Sequence, residues 1–243
     1  MNMKLIKQTG LFVAAGLLAF ACGAPNNTVE TSEAQEVASG QGNTYTINAA
    51  SSTFGWRGYK PAGEHFGTIP ATQGTVTLAG DSITAGSFTF DIPGLKIEDM
   101  PAEDENYGKL YGHLQSPDFF DAASHPTATF EITAVEPFQS GDIVADKDER
   151  ASEHTPKHDT ELAPANPTHW ISGNLTMRGT TKNIKFPATV SVENGTVSAK
   201  AGFNIDRTEW GLTYGNEADP ANIAKDQFIY NTVSVVLDVT ASE

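Results

Sequence analysis

FPATVSVENGTVSAKAGFNI, residues 186–205, decides the fold class. Phe186, Ala188, Val190 and Val192 alternate with polar neighbours, then Glu193-Asn194-Gly195 interrupts. The alternation resumes at Val197, Ala199, Ala201, Phe203 and Ile205. A period of two on both sides of an Asn-Gly turn specifies two antiparallel strands, each with one apolar and one polar face. The same pattern recurs outward from this hairpin. Ile171, Gly173, Leu175 and Met177 share one face, as do Ala128, Phe130, Ile132 and Ala134, then Phe88, Phe90 and Ile92, and Val233 to Val239 by alternate residues. With Tyr45–Ile47, Thr53–Arg57 and Thr75–Leu78 the chain reads as all-β, with eight or nine one-sided strands. Such strands either stack as a sandwich or close as a barrel, and periodicity does not choose. Only Glu103–Leu114 has room for a short helix.

The chain of 243 residues divides into three parts. Residues 1–21 carry Lys4 and Lys7 ahead of the apolar run Leu11–Leu18, which is too short to span a bilayer and reads as an export signal peptide. The end of this segment, Leu18-Ala19-Phe20-Ala21-Cys22, fits ordinary signal peptidase and also resembles a bacterial lipobox; both place the cut before Cys22. As the only cysteine, Cys22 is expected to be the acylated residue of a lipoprotein, since a lone exported thiol is otherwise a liability. Residues 22–43, polar and without period, read as that cysteine and a flexible tether. Residues 44–243 form one domain, whose fold rests on its apolar core because no cysteine pair exists. Formal net charge is −15, or −17 once Lys4 and Lys7 are removed. That field excludes nucleic acid and disfavours anionic surfaces.

Candidate chemistry is sparse. His154 and His158 have a helical metal-ligand spacing, but Pro156 between them breaks the helix. They fall within 139–168, a charged, proline-bearing segment that reads as an exposed loop or a disordered excursion. Glu98-Asp99 and Glu103-Asp104-Glu105 read as solubilising charge. Arg207, if the strand alternation continues to it, points to the apolar side, where it needs carbonyl or carboxylate partners. GHLQSPDFFDAASHP, residues 112–126, brackets two aspartates and two phenylalanines with His113 and His125. Its alternatives are a catalytic loop and a wall element in which Phe119 and Phe120 anchor the return to the next strand. No nucleophile elbow or phosphate-cradling loop is present. The large aromatics, from Trp56 and Phe66 to Trp210, either fill a core or line a cavity.

Several stretches, in order from about Tyr45 to Thr240, resemble the YceI-like family of exported bacterial proteins: YTINAASSTFGWRGYK, GEHFGTI, GSFTFDIPGLKIED, GHLQSPDFFDAASHPTATFEI, GNLTMRGTTKNIKFPATV and FNIDRTEWGLTYG. The segment 139–168 is longer than the usual hairpin there. The resemblance implies a lipocalin-like antiparallel eight-stranded β-barrel with a short helix and one long loop. It further implies a lumen that holds a polyisoprenoid or similar amphiphile, for carriage or storage rather than catalysis. On this basis the expected ligand-binding residues are Trp56, Phe88, Phe90, Ile97, His113, Leu114, Phe119, Phe130, Leu175, Phe203 and Trp210, with no catalytic or metal-binding residue. No cofactor is expected beyond a bound polyisoprenoid or isoprenoid quinone. Expected partners are an isoprenoid or fatty amphiphile, a membrane reached through the Cys22 anchor, and a second copy in a homodimer. The expected location is the periplasm or cell envelope. Two competing functions are a lipid-modifying hydrolase using His65 or His113, and a solidly packed interaction module.

Overall fold

A computed structural model describes residues 28–139, 149–224 and 228–243; the signal segment, Cys22 and 140–148 lie outside the described residues. Among the described residues are twelve strands: β1 Thr31–Glu33, β2 Asn43–Ile47, β3 Thr53–Lys60, β4 Gly63–Thr68, β5 Ala71–Ala79, β6 Ser82–Asp91, β7 Lys96–Ile97, β8 Thr127–Pro137, β9 His169–Met177, β10 Thr180–Glu193, β11 Thr196–Asp206 and β12 Thr232–Ser242. Eight of them form a closed ring, β2-β5-β6-β8-β9-β10-β11-β12 and back to β2, every pair antiparallel. Closure removes the exposed edges that an open sheet would leave. The ring is shut by β11, which pairs both β10 and β12, and by the short contact of Ala241 and Ser242 with Ile47 and Thr46. Further along β12, Val233–Asp238 pair instead with β3, and β4 and β7 extend that flank.

The turns follow their sequences. Asn194-Gly195 and Arg178-Gly179 both have positive φ at the two central positions, as a two-residue hairpin turn requires. Helix α1, Glu105–Gln115, is capped by Asp104, whose carboxylate accepts from the Asn106 N–H at 2.8 Å. It lies across one end of the barrel: the Tyr111 hydroxyl donates to Pro93 O and the Gln115 amide to Ile92 O, at 2.6 and 3.0 Å.

Two segments expected to be free lie instead against the outer wall. Residues 28–42, the described part of the supposed flexible tether, cross β11, β10, β9, β8 and β6 as a strap. The Val29 N–H donates to Asn204 O, β1 pairs Ile184 to Lys182, and the side chain of Asn174 pairs with both backbone groups of Gln35, at 3.0 and 2.8 Å. Further on, the Ala38 N–H donates to Ile132 O beside a bulge in β8, and Gln41 exchanges hydrogen bonds with Thr84. The strap contains few large apolar residues, so it is held by polar pairing rather than by hydrophobic burial.

The second segment is 149–163, within the described part of the long loop. It covers the outer face of β11 and β12, with a short helix α2 at Asp159–Leu162. Asn204 on that face is fully buried: its amide donates to Lys157 O at 2.7 Å and its oxygen accepts from the Ser234 hydroxyl, also at 2.7 Å. The Tyr59 hydroxyl reaches the same Ser234. Gly202 is there because a Cβ on it would lie 2.2 Å from Leu162 O. Gly202→Ala is therefore expected to lift 149–163 from the wall and destabilise the protein by about 1–3 kcal/mol, the usual range for overpacking. Limited proteolysis checks it: new cleavage within 149–163, with the barrel fragment surviving, is the expected pattern.

Candidate ligand-binding cavity

Inward-facing residues of the ring do not fill it. They leave a cavity of about 200 Å³ running between the strands, with a wholly apolar wall surface. Five phenylalanines form a girdle around it. Phe54 on β3 meets Phe88 on β6 with ring centroids 6.1 Å apart, Phe88 meets Phe130 on β8 at 6.4 Å, Phe130 meets Phe186 on β10 at 5.8 Å, and Phe186 stacks on Phe203 of β11 at 4.2 Å. These separations suit favourable aromatic pairing. The girdle is possible because Gly173 on β9 lacks a side chain where the Phe130 ring lies; a Cβ there would be 2.2 Å from its Cζ. Opposite, Val233, Val235 and Leu237 of β12 remain half-buried while facing the cavity.

Six of the eleven expected ligand-binding residues line this space: Trp56, Phe88, Phe90, Phe130, Leu175 and Phe203. The other five do not. Trp210 is completely buried and its indole N–H donates to Leu175 O at 2.9 Å, so it is a wall prop. Ile97 is buried in β7 against Gly67. Leu114 and Phe119 are buried with the core beneath α1. His113 turns away from the lumen: its Nε2 lies 3.3 Å from Asp118 Oδ2, and its ring packs edge-on to Phe119 and to the exposed Tyr214. The neighbour Phe120 is the residue of that stretch that lines the cavity. Phe54, Ile69, Ile92 and Met177 also line it; the alternation of Phe54 with Trp56 was the available signal for the first of them.

One polar atom is unusual. The indole Nε1 of Trp56, a residue of the cavity wall, is hidden from the cavity's apolar surface and has no hydrogen-bond partner among the described residues. Leaving such a donor unmade costs about 1–3 kcal/mol.

Charged groups near the cavity's α1-covered end serve the wall. Arg207 begins a 3-10 turn, Arg207–Trp210, and is buried at 3 % exposure. Its guanidinium donates to three backbone carbonyls, Tyr230 O and Ile229 O at 3.1 Å each and Leu212 O. Burial pulls its pKa down to about 10. Nearby, burial raises the Glu217 carboxyl above its ordinary range while that carboxyl accepts from the Asn231 N–H at 2.8 Å. His65 Nδ1 lies 2.8 Å from Asp99 Oδ2, and the other oxygen of Asp99 accepts from the Phe66 N–H, which ties β4 to the chain after β7. His154 and His158 belong to the docked 149–163 segment, and among the described residues no three metal-ligating side chains converge.

Comparison with known proteins agrees with this architecture. No curated protein matches the chain. Burkholderia cenocepacia BcnA superposes with a TM-score of 0.55 at 16 % identity, over 81 % of this chain and 99 % of that one. A polyisoprenoid binding domain from Saccharophagus degradans superposes with a TM-score of 0.52 at 14 % identity, over 85 % of this chain and 99 % of its own. At these identities the likeness establishes the shared fold. The sequence profile of the YceI-like domain matches residues 45–241, the whole of the closed ring from Tyr45 on β2 to Ala241 on β12, and the chain belongs to the YceI-like family.

Proposed function

We propose that the barrel holds the apolar chain of a polyisoprenoid or similar amphiphile, as a carrier or store rather than an enzyme. On this reading the protein is exported and anchored to a membrane of the cell envelope through acylated Cys22. The observation that carries the reading is the wholly apolar cavity between the strands. The polyisoprenoid binding reported for the Saccharophagus degradans domain, which shares the fold, supports it.

Magnitudes bound the ligand. A dry cavity of about 150 Å³ accommodates benzene, so about 200 Å³ admits roughly two isoprene units. At about 0.8 kcal/mol per buried carbon, ten carbons gain about 8 kcal/mol before ordering costs. Holding a longer chain requires half-buried wall residues such as Phe90, Leu175 and Met177 to move aside. Among the described residues the cavity surface presents no cluster of cations, which favours a neutral head group, such as a quinone, over a diphosphate.

Organic extraction and mass spectrometry of the purified protein is expected to yield an isoprenoid, with a neutral oxygenated head predominating. Extracts free of any stoichiometric lipid would reject the carrier reading, and a diphosphate-only profile would reject the head-group assignment.

A further inference from the structure

The strap fixes where the anchor leaves the barrel. Val29 is pinned to Asn204, and Thr31 lies beside Glu209 of the 3-10 turn, its hydroxyl 3.4 Å from the carboxylate. The same end of the barrel carries the β9–β10 turn, where Arg178 donates to Gly211 O and Gly179 abuts His125. It also carries α1 with the loop that follows. From there the strap runs away towards the opposite end, reaching Thr84 near the start of β6 and Leu78 near the end of β5.

Residues 29–42 are therefore not available as leash. Seven residue steps separate Cys22 from Val29, a length that cannot exceed about 25 Å fully extended. The Asn194-Gly195 turn at the other end lies nine residues along β11 from Asn204, about 30 Å of strand. An anchor at Cys22 reaches the bilayer beside the α1 end and falls short of the far turns.

That end also has the surface for it. Tyr214 is 47 % exposed, and Tyr107 and Tyr111 stack on one another along α1, half-buried, with rings 6.5 Å apart. Tyrosines of this kind place an apolar ring and a polar hydroxyl at the level of lipid head groups. Glu105 is paired with Lys109 and Asp118 lies beside His113, so the surface has no cluster of cations among the described residues and suits a zwitterionic bilayer rather than an anionic one.

We infer that the α1-covered end of the barrel faces the bilayer that holds the anchor, with Tyr107, Tyr111 and Tyr214 at the lipid surface. This rests on the lipid-anchor part of the proposed function. Phe120 and Met177, which line the cavity at this end, then border a path along which an apolar chain moves between bilayer and lumen without crossing bulk water.

Acylation occupies the only native thiol, so an introduced cysteine can be labelled selectively in the full, lipidated chain. Gly108 on α1, where a Cβ meets nothing within 4 Å, and exposed Ser82 at the opposite end are suitable sites. The proteins are reconstituted in phosphatidylcholine vesicles containing a nitroxide-headgroup lipid. A fluorophore on Gly108→Cys is expected to be quenched several-fold more than one on Ser82→Cys. Inserting about 20 Gly and Ser residues between Asn27 and Thr28 is expected to erase that difference, because the leash then exceeds the barrel's length. Equal quenching at the two sites, or stronger quenching at Ser82→Cys, in protein that floats with the vesicles overturns the orientation alone. Failure of the unsubstituted chain to float overturns the anchor and the orientation with it.

Discussion

Ala199→Phe is expected to lower the affinity for an apolar probe at least about 60-fold while the protein stays folded. Ala199 sits mid-strand on β11, its side chain half-buried and facing the cavity. A benzyl group there projects into a space of only about 200 Å³. It displaces contact with some 100–200 Å² of ligand, which at about 25 cal/mol per Å² corresponds to roughly 2.5–5 kcal/mol, and each 1.4 kcal/mol is a factor of ten. Because the ring occupies existing free volume, the fold gains apolar contacts and is not forced to expand. Titration with N-phenyl-1-naphthylamine, beside a circular dichroism spectrum, checks the prediction. Unchanged probe binding in a folded variant would mean that the probe binds outside the lumen.

Arg207→Met is expected to destabilise the protein by about 3–5 kcal/mol, the range for uncoupling a buried charged hydrogen-bonding network. The methionine fills much of the volume and removes the charge, but leaves Leu212 O, Ile229 O and Tyr230 O without their shared donor. In a domain of this size that corresponds to a fall in Tm of about 10 °C. Arg207→Lys should recover little, since one ammonium cannot reproduce the planar fork that spans three carbonyls. Thermal unfolding followed by circular dichroism gives the comparison. A Met variant as stable as the parent would show that the segment 211–230 is held by other contacts.

The sequence was most informative where side chains face inward. Alternation through Phe186–Val192 and Val197–Ile205 named a hairpin, and the structure has it with the Asn-Gly turn in place. Pattern alone left sandwich and barrel equal, because closure is decided by which edges meet, and β11 meeting both β10 and β12 leaves no local trace. The family resemblance supplied the barrel, which the structure shows. Outward faces were the source of error. Asn174, Asn183, Asn204 and Ser234 have the polarity of a wet face, yet all are buried: Asn174 and Asn204 hold the 28–42 strap and the 149–163 segment through their amides, and Asn183 and Ser234 donate to those two residues. Polarity reports a need for partners, and water and peptide meet that need alike. Gly202, a glycine in mid-strand, was the visible sign that another backbone approaches closely.

Within the site, aromatic size was a good guide on the strands and a poor one at the barrel's end. Phe88, Phe90, Phe130 and Phe203 lie on regular strands whose alternation aims them inward. Phe119 and Phe120 follow a helix, where neither period applies, and only the second reaches the cavity. Trp210 was drawn into the wall by its N–H, which needed the Leu175 carbonyl.

The seam between the chain's two ends bears on how the barrel comes into being. Ala241 and Ser242 pair with Ile47 and Thr46, and Ser52 hydrogen-bonds to Thr240 O across 188 residues of sequence. Contacts of such long separation form late and slowly. A chain still emerging from the ribosome has no β12, so β3 and β11 have no common neighbour and the ring stays open. Closure of the ring therefore waits on β12, the last of its strands along the chain.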